Sequence, residues 1–594
     1  MRSLNGLLRG AATVRIRVGS LVAVVAAYLL LLVRWFHDPG AIVAGGYRVS
    51  AVWPYAVVGL VLAGFAAVFC RADLLRMRAE MAEVLWLTRP QAFGLAIVLV
   101  VSFVFQLPTM VFPAALLHSD ASINGLMALH IADGRIAPAF YYGQEFMGTL
   151  FSHALALVFW VTGPFVAGTT VMTWVFYAGF LAGTFLLVRR AAGGAVAFMV
   201  AFWLAVPPST LIITLAQTEY VQLFVLSIWA FVLLAARVAG SLQHDAWWIV
   251  AGGLFGLAFW AHPMASIVFA AAVFSMALML HIGALAGALG LLGCGFLVGL
   301  APGLVGWGSR IGHFMEWFLA GGGRGDEATL IEAVEGMARV SFGNLLLGTE
   351  GRQVLPLAIA GPLAAIVVAS AIVVVVGGAR CRFGVDPSEP DESGGDRGEH
   401  CVAVAAALPL GLFVLLQLGV LLGRGYSVTP TQYVVPLYLG VPAVVAIAVY
   451  RVARRWSSRA RALTAVVMLV WVSVAFPGSI AWLRTLPENQ ATMNASVAAL
   501  RAAGVETCIG PYWDAYRLSY LTLEEIVCES IDVRRVPGYP DRVAARSSPG
   551  SPAFVAAPQR EDALRAHQES LDARGIGWIR LQTARFVALL PQPR

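Results

Sequence analysis

Asp120 is the acidic residue whose surroundings best suit chemistry. It lies in a polar run, HSDASINGLMALHIADGRIAPAFYYGQEFMGTLF (118–151), that directly follows a strongly apolar segment. A carboxylate at the point where a helix leaves the lipid can take the proton of an attacking hydroxyl, a role worth about 10²–10⁴-fold in rate. The position also suits a helix N-cap, in which Ser119 or Asp120 bonds the free amides of the next helix. The two roles are compatible, and both stay open.

The residues after Asp120 predict a short helix followed by a turn. The pair at 133–134, Asp-Gly, is typical of a helix stop, and Tyr142 with Gln144 lies in the turn YYGQ. A tyrosine pair also suits an aromatic belt at the membrane interface. Arg135, just beyond the helix stop, could hold a phosphate through its planar guanidinium or could complement the helix end.

Three further polar residues lie at the edges of apolar segments. Glu219 ends the polar stretch TLAQTE, where a carboxylate is costly unless it faces a cavity or a partner; it could bind sugar hydroxyls or simply begin a solvated helix. His262 precedes Pro263 and could donate to a phosphate or close a helix end. Arg424 lies between two glycines and is the first candidate for a phosphate-binding cation, although an interfacial arginine that extends toward water fits equally.

The composition requires a membrane for these residues. Of 594 residues, 59% are hydrophobic and 12% charged, and the mean hydropathy is +0.79. No soluble core could hide so much apolar surface. The 40 fixed cations are all arginines, which with the abundant Ala, Gly and Val indicates a GC-rich bacterial genome. Arginines beside membrane spans explain the net charge of +7, so no nucleic-acid partner is expected.

The apolar segments predict about 13 transmembrane helices, since a span needs about 20 apolar residues. The expected spans are 19–34, 52–70, 91–115, 166–187, 193–206, 220–237, 248–261, 264–282, 284–306, 353–377, 401–422, 432–450 and 462–482. Arginine is concentrated in alternate loops, which predicts a protein of the bacterial inner membrane with its N-terminus on the cytoplasmic side. Thirteen crossings then place the Asp120 loop and the C-terminal segment outside.

The chain divides into three predicted parts. Residues 1–90 hold two additional N-terminal spans. Residues 91–482 form the transmembrane core, with outer loops at 116–165 and 307–352 and an acidic, Pro- and Gly-rich inner loop at 378–400 that is expected to be disordered. Residues 483–594 alternate helix-like stretches with the strand-like runs TCIG, EEIVCE, AFVAA and RFVALL. That alternation predicts a small α/β domain outside the membrane.

The run SDASINGLMALHIADG followed by FYYGQEFMGTL resembles the first periplasmic loop of the GT-C glycosyltransferases, and specifically the glycosyltransferase family 39-like group of protein mannosyltransferases and lipid A aminoarabinose transferases. The resemblance implies a polytopic α-helical fold and transfer of a sugar from a polyprenyl-phosphate donor to an envelope acceptor, which could be a protein, a lipid or a glycan. It implies Asp120 as the catalytic residue and Tyr142 and Gln144 as substrate contacts. No cofactor is required, and a divalent metal is possible but not indicated.

Other stretches extend the resemblance and also depart from it. Residues 149–165 are similar to the interfacial helix of the family, and TQYVVPLY (431–438) is similar to its late signature, which makes Gln432 and Tyr433 candidate substrate contacts. The family often has a cation where this chain has Gln432, and the lysine that some members use near His262 is missing. The identity of the phosphate-binding cation therefore stays open, as does the choice between a hexose and a pentose.

The sequence also admits other interpretations, one of which is an inactive scaffold that uses only a periplasmic interaction domain in its C-terminal segment. A membrane transporter or flippase for a lipid-linked or polar solute is the alternative function; it would predict charges near the bilayer centre and an internal repeat, and the sequence shows neither by eye. In the C-terminal segment, Tyr512, Trp513, Asp514 and Tyr516 form a mixture suited to stacking on sugars or to core packing. Cys508 and Cys528 lie where oxidation is permitted, and the sequence leaves a disulfide between them open.

Overall fold

The computed structural model describes residues 43–44, 47–48, 71–136, 138–144, 146–216, 218–308, 311–319, 332, 357–383, 397–423, 434–453, 458–546 and 552–592. The predicted spans 19–34 and 52–70 lie outside these residues. Between them, strands β1 (Val43–Ala44) and β2 (Tyr47–Arg48) form an antiparallel pair.

Helices make up the described chain from residue 71 to residue 483. They are α1 (Arg71–Leu85), α2 (Arg89–Val111), α3 (Pro113–Leu116), α4 (Ser119–Ala132), α5 (Leu150–Thr162), α6 (Gly168–Ala192), α7 (Gly194–Ala205), α8 (Ser209–Leu215), α9 (Glu219–Val238), α10 (Ala246–Ala261), α11 (Ala265–Met279), α12 (Ile282–Trp307), α13 (Ile311–Leu319), α14 (Leu357–Phe383), α15 (Arg397–Gly423), α16 (Val441–Ala453) and α17 (Ser458–Leu483). A 3-10 helix, Val435–Leu439, precedes α16.

The helices make the chain a multi-pass membrane protein. Among the residues that the structure describes, four are long and apolar enough to cross a bilayer: α2, α6, α9 and α12. The pair α7 and α8 would add a fifth span, bent by 76° at its break. That break falls at Pro207 and Pro208, which cannot donate backbone hydrogen bonds to continue the helix. The count of 13 spans and their orientation stay predictions.

Several helix bounds differ from the expected spans. Helix α14 runs on to Phe383 and α15 begins at Arg397, so the inner loop predicted at 378–400 is helical at both ends. Only its centre, residues 384–396, can be a linker, and that part lies outside the described residues. The span expected at 432–450 is instead a 3-10 turn followed by α16, because Pro436 and Gly440 interrupt the regular helix.

Glycines bring α10 and α12 into backbone contact. A Cβ on Gly252 would lie 2.0 Å from the carbonyl oxygen of Leu292, and one on Gly299 would lie 2.0 Å from that of Gly253. Close approach of this kind is how membrane helices gain packing energy where lipid supplies no hydrophobic drive. The end of α10 in turn holds the loop that follows α4, because the indole of Trp260 donates to the carbonyl of Ala139 at 3.0 Å.

The C-terminal segment is an α/β unit, built from α18 (Leu486–Ala502), β3 (Thr507–Gly510), α19 (Tyr512–Leu521), β4 (Val527–Ser530), α20 (Tyr539–Arg546), β5 (Ala553–Ala556), α21 (Glu561–Ala573), β6 (Trp578–Gln582) and β7 (Val587–Pro591). The strand order is β4-β3-β5-β7-β6, with β3 parallel to both of its neighbours and β7 antiparallel to both of its own. Cys508 and Cys528 are paired across β3 and β4 and form a disulfide.

This segment shares a hydrophobic core with the transmembrane helices. The buried rings of Tyr512, Tyr516 and Tyr520, all on α19, pack in the same cluster as Met127 of α4. The tightest contact is at Gly125, where an added Cβ would lie 2.3 Å from the ring of Tyr520. Only a residue without a side chain fits there, so the sequence of α4 is adapted to the docked C-terminal segment.

Candidate functional site

Asp120 is the second residue of α4, and His118 caps that helix. The backbone amide of Asp120 donates to Nδ1 of His118 at 3.2 Å. Burial lowers the pKa of His118, which keeps its imidazole neutral and able to accept this bond. The Asp120 carboxylate is thus not needed as the N-cap. It stays near the positive end of the helix dipole with its side chain 23% exposed.

Hydrogen bonds from two tyrosines fix Asp120 in place. The phenol of Tyr512 donates to Oδ1 of Asp120, and the phenol of Tyr141 donates to the backbone carbonyl of Asp120 at 3.0 Å. The amide of Asn124 also reaches that carbonyl, at 3.4 Å, and Asn124 is held by Ser152 at 2.8 Å. Tyr141 comes from the turn and Tyr512 from the C-terminal segment, so three separate parts of the chain meet at this carboxylate.

The backbone of Tyr512 is itself held by hydrogen bonds at both its amide and its carbonyl. Its backbone amide donates to Oδ1 of Asp532 at 2.8 Å, and its carbonyl accepts from the hydroxyl of Ser119. Pro511 precedes it and sets the entry into α19. Burial and the negative charge of Asp120 raise the pKa of Tyr512, so its phenol stays protonated near neutral pH and donates.

A second polar cluster, here called the Glu524 cluster, lies at the other end of α4. Glu524 is 4% exposed and accepts from Nε2 of His130 at 2.9 Å and from the guanidiniums of Arg135 and Arg542. Because an ionised carboxylate only accepts, His130 carries its proton on Nε2, and its Nδ1, when neutral, accepts from the Tyr142 hydroxyl at 2.9 Å. The cluster therefore joins the helix end, the turn and the C-terminal segment.

The backbone at Glu524 is unusual. Leu523 has a φ of 48° and Glu524 a φ of 66°, in the left-handed region that costs energy for residues other than glycine. Burial alone would raise the pKa of Glu524, but the hydrogen bond from His130 and the charge of Arg135 hold it below its usual range. Glu524 is therefore ionised near neutral pH, and its partners compensate for both burial and backbone strain.

The predicted substrate contacts in the outer loop are separated by this geometry. Tyr142 is engaged by His130, ten residues along α4 from Asp120, which corresponds to roughly 15 Å of helix. Arg135 pairs with Glu524 and with Asp133 at 2.8 Å. Gln144 closes the turn: its backbone amide donates to the backbone carbonyl of Tyr141 at 3.0 Å, and Gly143 has a φ of 67°. Their roles in binding substrate stay predictions.

The other predicted residues are placed only in part. His262 ends α10, its Nδ1 accepts from the amide of Met264 at 3.2 Å, and its ring lies 5.2 Å from that of Tyr220. Glu219 is the first residue of α9, and its side chain lies outside the described part of the chain. Arg424, Gln432 and Tyr433 also lie outside the described residues.

Three functional candidates escaped the sequence analysis. His118 could have been suspected from its place directly before the helix. Tyr512 was noted only as part of an aromatic stretch, since nothing local connects it with a carboxylate 392 residues away. Glu524 was expected in a strand, because EEIVCE has the composition of one, whereas β4 begins only at Val527. Contacts over such separations leave no periodic signal in the sequence.

No protein-family model and no curated protein matches the chain. Among solved structures, it is similar to ArnT from Cupriavidus metallidurans bound to undecaprenyl phosphate, with a TM-score of 0.47 and 12% identity over 85% of this chain and 99% of that one. It is also similar to the oligosaccharyltransferase AglB from Archaeoglobus fulgidus in complex with an inhibitory peptide and a dolichol-phosphate, with a TM-score of 0.42 and 12% identity over 85% of this chain and 74% of that one.

Proposed function

We propose that this protein is a GT-C glycosyltransferase that moves a sugar from a polyprenyl-phosphate donor to an envelope acceptor at the outer face of the membrane. The observation that carries the proposal is the setting of Asp120. Its carboxylate lies at the start of α4, is partly exposed, and accepts the hydrogen bond of Tyr512 at Oδ1. A carboxylate fixed in this way is suited to act as a general base.

The chemistry follows from the leaving group. A phosphate departs readily from the anomeric carbon, so the reaction needs a base for the acceptor more than an acid for the donor. Asp120 takes the proton of the acceptor hydroxyl while the acceptor oxygen attacks the anomeric carbon. The bond from that carbon to the phosphate oxygen breaks, and its electron pair leaves with the polyprenyl phosphate. Direct displacement inverts the anomeric configuration.

The cation that receives the phosphate charge is a separate part of the proposal. Arg135 is already engaged by two carboxylates, which favours a positioning role over phosphate binding. Arg424 stays the first candidate on the sequence argument, since its neighbouring glycines permit a headgroup to approach closely. Glu219, His262, Gln432 and Tyr433 remain proposed contacts of the donor or acceptor.

The experiment that tests the proposal is Asp120→Asn in purified protein, assayed with a panel of synthetic polyprenyl-phosphate monosaccharides. The substitution removes the base and retains the shape of the side chain, so release of polyprenyl phosphate should fall about 10²–10⁴-fold. Asp133→Asn is the matched control: it neutralises a 42%-exposed carboxylate at the other end of the same helix, and turnover should stay within twofold of wild type.

A fully active Asp120→Asn variant would remove Asp120 from the mechanism. Binding of polyprenyl phosphate alone should be unchanged in that variant, which separates loss of chemistry from loss of the fold. Mass spectrometry of envelope glycans and glycoproteins from cells carrying the same substitution would then identify the sugar and the acceptor. A transporter would move a lipid-linked solute without releasing polyprenyl phosphate, so the release assay also distinguishes the alternative function.

A further inference from the structure

We infer that Tyr512, in the C-terminal segment, is a positioning residue that holds Oδ1 of Asp120 and leaves Oδ2 as the oxygen that takes the acceptor proton. The inference rests on the proposed function and names the group that orients its base. It makes the C-terminal α/β segment a part of the active site, although Tyr512 and Asp120 are separated by 392 residues.

The two oxygens of Asp120 have different surroundings. Oδ1 accepts the hydrogen bond of Tyr512. No described residue has a hydrogen bond to Oδ2 among the contacts of this carboxylate, and Nδ1 of His118, 3.9 Å from Oδ2, already accepts from the Asp120 amide. The side chain is 23% exposed, and because Tyr512 occupies Oδ1, we assign the approach of the substrate hydroxyl to Oδ2. Without the phenol, the carboxylate could rotate and exchange its two oxygens.

The position of Tyr512 is set by its own contacts and not by Asp120 alone. Its backbone is tied to Asp532 and Ser119, and its ring lies against Trp513 at 5.1 Å and Tyr516 at 5.7 Å, with both pairs edge to face. The guanidinium of Arg535 covers the ring at 5.8 Å. A donor held this firmly fixes its acceptor, which is the preorganisation that catalytic groups require.

The proton transfer is balanced with this assignment. The acceptor hydroxyl gives its proton to Oδ2, the acceptor oxygen bonds the anomeric carbon, and the polyprenyl phosphate leaves with the electron pair of the broken bond. Tyr512 keeps its own proton throughout and stabilises the ionised carboxylate before the step. It touches neither substrate, so its contribution is the orientation of Asp120.

The test is the single-atom substitution Tyr512→Phe, compared with Tyr516→Phe. Both remove a buried phenol oxygen from α19, but the Tyr516 hydroxyl accepts from the backbone of Arg535 and does not contact Asp120. The readout is the separation of kcat from binding, because loss of orientation at Asp120 lowers kcat alone, whereas a general loss of the fold lowers binding as well. Tyr516→Phe should match wild type.

In Tyr512→Phe the loss should appear in turnover and not in binding. With a polyprenyl-phosphate sugar that wild type accepts, kcat should fall about 10- to 100-fold in Tyr512→Phe, while binding of polyprenyl phosphate alone stays unchanged. In an Asp120→Asn background, Tyr512→Phe should have no further effect. A kcat of Tyr512→Phe that equals wild type, with Asp120→Asn inactive, would overturn the role of Tyr512 alone. A fully active Asp120→Asn variant would overturn the proposed function instead.

Discussion

Substitution of Glu524 by glutamine probes how strongly the C-terminal segment is bound to α4 and the turn that follows it. Glu524 is 4% exposed, and its carboxylate pairs with the side chains of Arg135, Arg542 and His130. Removing one partner of a fully buried ion pair costs about 3–5 kcal/mol. The side chains of Arg135 and Arg542 are 42% and 30% exposed, so both can regain water, and about 2–3 kcal/mol is the expected loss for this cluster.

Native-state hydrogen exchange in lipid nanodiscs measures that loss locally. The amides to follow are that of Arg135, which donates to the carbonyl of His130, and that of Glu524, which donates to the carbonyl of Ser519. A loss of about 2–3 kcal/mol corresponds to hydrogen exchange roughly 30- to 150-fold faster, provided that the exchange rate follows the equilibrium population of the locally open state.

Glu525→Gln is the matched control for this measurement. It neutralises the adjacent residue, whose side chain is 66% exposed and pairs with the half-exposed Arg501. A surface pair of this kind contributes less than about 1 kcal/mol, so exchange at both amides should change less than about fivefold. Equal exchange rates in Glu524→Gln and Glu525→Gln would refute the reasoning that the Glu524 cluster fastens the segment.

Two further predictions concern the C-terminal segment. Burial raises the pKa of Glu529 from 4.5 to about 7, and neither of its oxygens accepts a hydrogen bond from a described residue. The folded protein therefore binds more protons than the unfolded chain between these values, so stability should fall as pH rises from about 4.5 to 7, by at most about 3 kcal/mol; thermal unfolding of Glu529→Gln should lack this dependence. Cys508→Ser opens the 20-residue disulfide loop and should cost about 3 kcal/mol, visible as a lowered midpoint of chemical unfolding; equal midpoints with and without reductant in wild type would contradict it.

Local chemistry explains which parts of the fold could be predicted. The stop of α4 followed from the Asp-Gly pair, and the structure confirms it with Asp133 as the C-cap and Gly134 at a φ of 67°. The runs TCIG and AFVAA are strands, as their apolar, β-branched or aromatic composition indicates. Strand β6 was missed, because Trp578–Gln582 alternates an apolar residue with a charge only once and lies at the exposed edge of the sheet.

The candidate site was predictable only where one stretch of chain builds it. The polar run after an apolar span indicated Asp120, and the turn motif indicated Tyr142. Helical geometry then separates these two, since the phenol of Tyr142 bonds His130 near the far end of α4 and the neighbouring Tyr141 reaches Asp120. Which of two adjacent tyrosines faces a carboxylate depends on tertiary packing, which a single sequence does not encode in its periodicity.

The hydrogen bond between Tyr512 and Asp120 also determines when, during synthesis of the chain, the site can assemble. A ribosome adds about 5–20 residues per second, so the 392 residues between the two take roughly 20 to 80 s to synthesise. During that interval α4 and the turn that follows it are complete, but the Asp120 carboxylate lacks the phenol that holds its Oδ1. A chain interrupted before residue 512 never acquires that hydrogen bond. Under the proposed function, the site is therefore assembled only after synthesis has passed the start of α19.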